Sequence, residues 1–260
     1  MKTDKLLDVA KEAVHNSLKL LSSLDVSSLT NRLSEDIPRE IKSSADTLLE
    51  ECILERLTQT KLPILSEESG YIQPKVQNGR LMWVVDPLDG TVNYIRGLGV
   101  CGISIALWDG NRPVFGVIGE YPSMLLAWGG KNMGSYVEGR SIKVAPIKAV
   151  SESIICTGFP VRFDYEPCKL AVFMEIISSY SKVRMLGAAS ISLLRIAQGA
   201  ADVYAESNVM IWDVAAGLAL VEGANGSIDF SPGPFEHCFD VYASNGLRFK
   251  TEGHINESQL

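Results

Sequence analysis

The feature that most limits the fold is a change of hydrophobic period along the chain. Residues 5–21 carry Leu6, Leu7, Ala10, Ala13, Val14, Leu18 and Leu21 at helical spacing, and residues 44–57 repeat the pattern with Ala45, Leu48, Leu49, Cys52, Ile53 and Leu57 after a Ser43–Ser44 start signal. Residues 22–42 between them are polar and irregular. From about residue 81 the helical period gives way to short apolar runs, LMWVV, VCGISIALW, PVFGVIGEY and MLLAWG, separated by Gly, Pro and Asn. These predict strands in a mostly antiparallel meander. Past residue 148 the pattern changes again. SIICTGF and ADVYAES read as strands, 166–180 and 188–198 as helices, and VAAGLALVEGANG as an almost wholly apolar helix closed by Gly226. Alternation of this kind is an α/β signature. The expectation is an α/β (α+β) chain with an α+β half over 1–148 and an α/β half over 149–260 that completes the site.

The chain has 260 residues, with 24 Lys and Arg against 31 Asp and Glu, a net charge of −7. That balance argues against a nucleic-acid or membrane-surface partner, both of which need a basic footprint. Anionic substrates stay open, because metal ions can invert a local field. The five cysteines form no C-x-x-C pair, and the three histidines have no zinc-like spacing. No apolar run approaches 18 residues and the first 16 are charged throughout, so no membrane span, no signal peptide and a cytoplasmic location are expected.

Chemistry concentrates at Trp83-Val84-Val85-Asp86-Pro87-Leu88-Asp89-Gly90-Thr91-Val92-Asn93-Tyr94. An apolar strand runs into two carboxylates three residues apart, with the Leu88 carbonyl between them, and an all-oxygen pocket of that kind suits Mg²⁺. The Gly90 and Thr91 N–H groups would open a helical turn, where unpaired donors stabilise a phosphate. A plain Asp-Gly turn accounts for the dipeptide alone, but not for the whole segment. Two further acidic positions stand out, Glu67 in Ser66-Glu67-Glu68-Ser69-Gly70 and Asp213 in Ile211-Trp212-Asp213-Val214-Ala215-Ala216-Gly217. Acidic loop residues are usually only solvated. Asp213, however, falls in the first turn of a helix so apolar that it must be buried, where an unpaired charge is costly.

Together, E-E-S, then D-P-L-D-G-T-V-N-Y, then W-D-V-A-A-G, in this order and spacing, resemble the inositol monophosphatase family over nearly the entire chain. The resemblance implies a layered αβαβα sandwich, Mg²⁺-dependent hydrolysis of a phosphate monoester with two or three ions per site, and a homodimer. It implies Glu67, Asp86, Asp89 and Asp213 as metal ligands, with the Leu88 carbonyl. Thr91 with Asp46 of the A-D-x-x-x-E helix, together with Glu67, would take the catalytic roles around the attacking water. Asp89, Gly90, Thr91, Gly187, Ala189, Glu206 and Asp213 would contact substrate, Glu206 through a substrate hydroxyl. Ser190 in the same turn is read equally well as simple helix packing.

The loop Ser34–Lys42 departs from the family wording K-G-x-x-D-[LP]-V-T and reads as a D-I-K-x-x-A-D variant with Glu40 first, which bears on the third ion. A haloacid-dehalogenase phosphatase also uses Asp-Gly-Thr after a strand, but its nucleophile position is Pro87 here. A phosphatase of 3′-phosphoadenosine 5′-phosphate would carry basic or acidic residues where Val92-Asn93-Tyr94 stands. Histidinol phosphate and fructose 1,6-bisphosphate remain alternatives. A catalytically silent dimeric partner would have lost a ligand, yet all four carboxylates are intact. Arg162 in the 160–168 loop and the polar tail from Glu252 are candidate contacts for substrate and partner respectively.

Overall fold

A computed structural model describes residues 2–33, 41–74, 79–159 and 165–248. The loop positions 34–40, Arg162 and the tail from Glu252 lie outside the described residues. The elements in chain order are α1 (Thr3–Ser23), β1 (Asn31–Leu33), β2 (Ile41–Ser43), α2 (Ser44–Leu57), β3 (Ile64–Ser66), β4 (Gly70–Ile72), β5 (Leu81–Asp89) and α3 (Thr91–Ile95). Then follow β6 (Cys101–Asp109), β7 (Arg112–Tyr121), β8 (Leu125–Gly130), β9 (Gly134–Val137), β10 (Arg140–Ile142), β11 (Ile154–Cys156) and α4 (Pro167–Ser178). The chain continues with β12 (Lys182–Arg184), α5 (Ala189–Ala197), β13 (Val203–Met210), α6 (Ile211–Gly223), β14 (Ser227–Pro232) and β15 (Cys238–Ser244).

An eight-stranded sheet has the order β10-β9-β8-β7-β6-β5-β3-β4, and a five-stranded sheet the order β12-β11-β13-β15-β14. The meander expected from residue 81 onward runs antiparallel from β5 to β10, while β3 lies parallel to β5 on its other side. Side-chain alternation on the central strands explains the layering. Trp83, Val85, Ile103, Ile105, Phe115 and Val117 pack with α1 and α2 on one face. Val84, Ala106 and Ile118 pack with α5, α6 and the inner side of the smaller sheet on the other. Ile155, Val203 and Ile176 of α4 form a third cluster on the far side of that sheet. The layers therefore read α, β, α, β, α, as the resemblance implied.

The face predicted for α1 is buried residue for residue. On α2 the stripe is rotated. Leu48 is exposed and Cys52 half-buried, and the inward positions include Asp46 and Glu50. The irregular stretch 22–42 holds β1 and the start of β2, α6 stops at Gly223 rather than Gly226, and β9, β10, β14 and β15 are strands that the hydrophobic period does not mark.

Candidate active site

Asp86 and Asp89 owe their common placement to a β-bulge. In the β5–β6 register Asp86 lies opposite Ser104 and Asp89 opposite Gly102, so three steps on β5 match two on β6. One extra residue shifts the parity of the strand, and Asp86 and Asp89 both face the layer of α5 and α6. Pro87 sits within the bulge of this central strand, the position where a residue without an N–H is tolerated. The Leu88 N–H donates to Asp86 Oδ1 at 2.9 Å, which tightens the turn. Gly90 follows with φ +87°, a left-handed backbone that opens α3.

The other groups come from separate elements. Glu67 follows β3, and its N–H donates to the Val85 carbonyl at 3.2 Å. The Glu67 loop is held by Glu50 of α2, whose carboxylate accepts from Ser66 Oγ at 2.5 Å and from the N–H and Oγ of Ser69 at 3.0 and 2.6 Å. Asp213 lies in the first turn of α6, as expected, but is half-buried: the apolar part of the helix is enclosed while its first turn opens onto the pocket. Ser104 seats that turn by donating to the Trp212 carbonyl at 3.1 Å. Carboxylate oxygens of Glu67, Asp86 and Asp213 lie within 4.8 Å of one another.

Asp46 lies in the first turn of α2, in a capping box with Ser43, whose N–H donates to Asp46 Oδ2 at 3.1 Å. Its other oxygen, Oδ1, lies 2.8 Å from Thr91 Oγ1, which is also 3.0 Å from the Leu88 carbonyl. Asp89 is gripped from the opposite side, its Oδ2 accepting from the Ser190 N–H at 2.7 Å and its Oδ1 from the Ala189 N–H at 3.3 Å. The Ala189 amide, read from sequence as a substrate contact, is thus engaged by Asp89. Gly187 stands in a turn held by Asn93, whose Nδ2 donates to the carbonyls of Val100 and Leu186 at 2.7 and 2.8 Å. Glu206 on β13 accepts from Tyr204 Oη at 2.9 Å and faces Gly158. Glu50 and Asn93 are the supports that sequence reasoning missed. The E of A-D-x-x-x-E and the N of G-T-x-N were present as signals.

Burial is the largest cause of the electrostatic state of the pocket. Asp46 and Asp89 are each raised to about 6 by desolvation, against the hydrogen bonds that favour their ionised forms. Glu206 is raised to about 7 for the same reason, with Asp89 adding to it. Asp86 and Asp213 are pushed well above the ordinary carboxylate range by burial and then by the neighbouring acids, Glu67 first. Converging carboxylates that disfavour one another's ionisation, offering only oxygen, fit a hard divalent cation.

Fold and site together define a layered α/β protein with a carboxylate pocket suited to divalent cations. The chain belongs to the inositol monophosphatase family, whose model matches residues 2–248. It is 29% identical over 244 residues to the fructose-1,6-bisphosphatase/inositol-1-monophosphatase of Aquifex aeolicus, covering 93% of this chain and 91% of that protein. It is 28% identical over 238 residues to Nus factor SuhB of Pseudomonas aeruginosa, covering 89% and 87% respectively. The solved inositol monophosphatase of Anabaena (Nostoc) superposes with a TM-score of 0.77 at 29% identity, over 94% of this chain and 91% of that one. Membership supports a phosphatase. Among the described residues no helix is long and apolar enough to cross a membrane.

Proposed function

We propose that this chain hydrolyses a phosphate monoester in a Mg²⁺-dependent reaction, with myo-inositol 1-phosphate or a related polyol or sugar monophosphate as substrate. The observation that carries the reading is the convergence of Glu67, Asp86 and Asp213 oxygens within 4.8 Å. Together with Asp89 and the Leu88 carbonyl these groups would hold two or three Mg²⁺ ions. When bound, the ions supply charge neutralisation at the phosphoryl oxygens, acidification of water and stabilisation of the departing alkoxide.

The residues of the chain do the positioning. A hydroxyl has one proton to donate, so Thr91 donating to Asp46 leaves its lone pairs to accept from water and orient it. Asp46, raised to about 6 by burial, is matched to accept a proton near neutral pH. Water adds in line to phosphorus, the P–O ester bond breaks, and the ester oxygen leaves as an alcohol. The Gly90 and Thr91 amides are assigned to the phosphate and Glu206 to a substrate hydroxyl. A homodimer is part of the same reading, checked by sedimentation.

The test is phosphate release from myo-inositol 1-phosphate, several sugar monophosphates, histidinol phosphate, fructose 1,6-bisphosphate and 3′-phosphoadenosine 5′-phosphate, with and without Mg²⁺ and with Li⁺ as a challenge. Mg²⁺-dependent, Li⁺-sensitive release led by a polyol or sugar monophosphate supports the reading. No release from any ester by folded protein in Mg²⁺ overturns it. Release led by fructose 1,6-bisphosphate would instead match the first activity in the name of the Aquifex relative, fructose-1,6-bisphosphatase/inositol-1-monophosphatase.

A further inference from the structure

The cross-strand row that begins at Asp89 continues to an ion pair, a buried Glu120 with a half-buried Arg195, that the reaction does not use. Asp89 lies opposite Gly102 on β6, and Gly102 lies opposite Glu120 on β7. All three face α5, which meets each of them. Its first N–H groups donate to Asp89, Ile191 lies over Gly102, and Arg195 pairs with Glu120. A Cβ at Gly102 would stand 2.9 Å from Ile191 Cδ1 and from the Gly119 carbonyl, so the helix rests directly on the sheet backbone there. Resting on the hypothesis of metal-dependent hydrolysis, we propose that Arg195 and Glu120 are positioning residues, which hold α5 where its first turn grips the Asp89 carboxylate.

Burial and satisfaction favour this over a general packing role. Glu120 is only 7% exposed, and its Oε2 has no hydrogen-bond partner among the described residues. Enclosing a carboxylate with one oxygen unsatisfied is costly, and here the compensating group is Arg195. The second Arg195 nitrogen donates to Gln198 Oε1 at 2.7 Å, which fixes the guanidinium on its own helix. The pair lies more than one turn along α5 from Ser190, with Ile191 between them as a contact on the sheet. Among the described residues, the other polar tie from α5 to this sheet is the Asp89 carboxylate. Any rotation about Ile191 then shows as misalignment of the two amides with that carboxylate.

The experiment is calorimetric titration of the full chain with Mg²⁺ alone, alongside kcat and KM for the best monoester at limiting and saturating Mg²⁺. Arg195→Met keeps an unbranched stem and removes the charged guanidinium end. Its Mg²⁺ dissociation constant should rise roughly tenfold, the lower end of what losing an outer support of a metal ligand costs. Its kcat at saturating Mg²⁺ should recover. Glu120→Gln keeps an acceptor for Arg195 and should stay within about threefold of the parent, since a neutral acceptor retains part of the bond. Arg112→Ala breaks the exposed pair with Glu222 on α6 and should leave Mg²⁺ affinity unchanged, which controls for general destabilisation. Parent-like affinity in Arg195→Met overturns the proposal alone. If Arg195→Met does not fold, Arg195→Gln serves: it stays polar but loses the charge, the planar fork and the reach to Glu120. An unchanged dissociation constant in Arg195→Gln likewise overturns the proposal. A parent protein that binds no Mg²⁺ overturns the hydrolase reading as well, so the two failures are distinct.

Discussion

Asp86 and Asp89 present their carboxylates to the same layer although three residues separate them, a spacing that a regular strand sends to opposite faces. The bulge at Pro87-Leu88 removes the conflict and leaves Asp89 between the other acids and the amides of α5. Asp89→Asn keeps the shape but can satisfy only one of those amides with its single carbonyl oxygen. The expected result is an unchanged circular dichroism spectrum and turnover lower by roughly a hundredfold or more, the scale of losing a group that acts at the reacting centre. Near-parental turnover would remove Asp89 from the site.

Thr91 and Asp46 are 45 residues apart in sequence and 2.8 Å apart in the fold. Thr91→Val is nearly isosteric and removes only the hydroxyl. Stability should fall by about 1 kcal/mol, the net value of one hydrogen bond. Turnover should fall by about 10²–10⁴, the usual contribution of a positioned proton-transfer group, with KM within a few-fold of the parent. A large rise in KM with unchanged kcat would assign Thr91 to binding alone.

Much of this arrangement was legible because its signals are local. The apolar face of α1, the strand before Asp86 and the first-turn position of Asp213 each follow from one short stretch of neighbouring residues. The supports are non-local and were not legible. Glu50 reads as an ordinary acid on an amphipathic helix until Ser66 and Ser69 fold against it, and Glu120 is 75 residues from Arg195. β14, reading SIDFSP, is an edge strand with exposed alternate positions and a Pro, too polar for the pattern that finds buried strands. In sequence alone, Pro87 signals the absence of a nucleophile. Its structural meaning, a bulge in a central strand, needed the register with β6.

Metal-free protein should lose stability as pH rises. Asp46 and Asp89 are raised to about 6 and Glu206 to about 7, with burial the first cause in each. Raised carboxyls bind more protons folded than unfolded between the unfolded value and the folded one. The slope of unfolding free energy against pH is therefore negative from about pH 4 to 7, at up to about 1.4 kcal/mol per pH unit for each excess proton. Saturating Mg²⁺ should reverse the trend near pH 7–8, because it binds the ionised cluster in the folded state. Thermal melts across pH 4.5–8 in chelator and in Mg²⁺ test both signs; a metal-free Tm that climbs with pH through this window refutes the assignment.

A second bulge governs the other side of the pocket. Glu206 lies opposite Val241 and Val209 opposite Phe239, so Ser207 and Asn208 together face Asp240 alone. Asn208 takes φ +59°, and its N–H donates to Asp240 Oδ1 at 3.0 Å. The shift in parity lets Glu206 face the pocket while Val209 still enters the core beside α6. Asn208→Gly keeps the left-handed backbone and should change stability by only a few tenths of a kcal/mol. Asn208→Val puts a β-branched residue where its Cβ is strained, at a cost of about 1–2 kcal/mol and a Tm lower by roughly 2–8 °C. If the bulge aims Glu206 at a substrate hydroxyl, Asn208→Val should also raise KM more than it lowers kcat. Equal melting points and KM values for the two variants would show that Glu206 is aimed by other contacts.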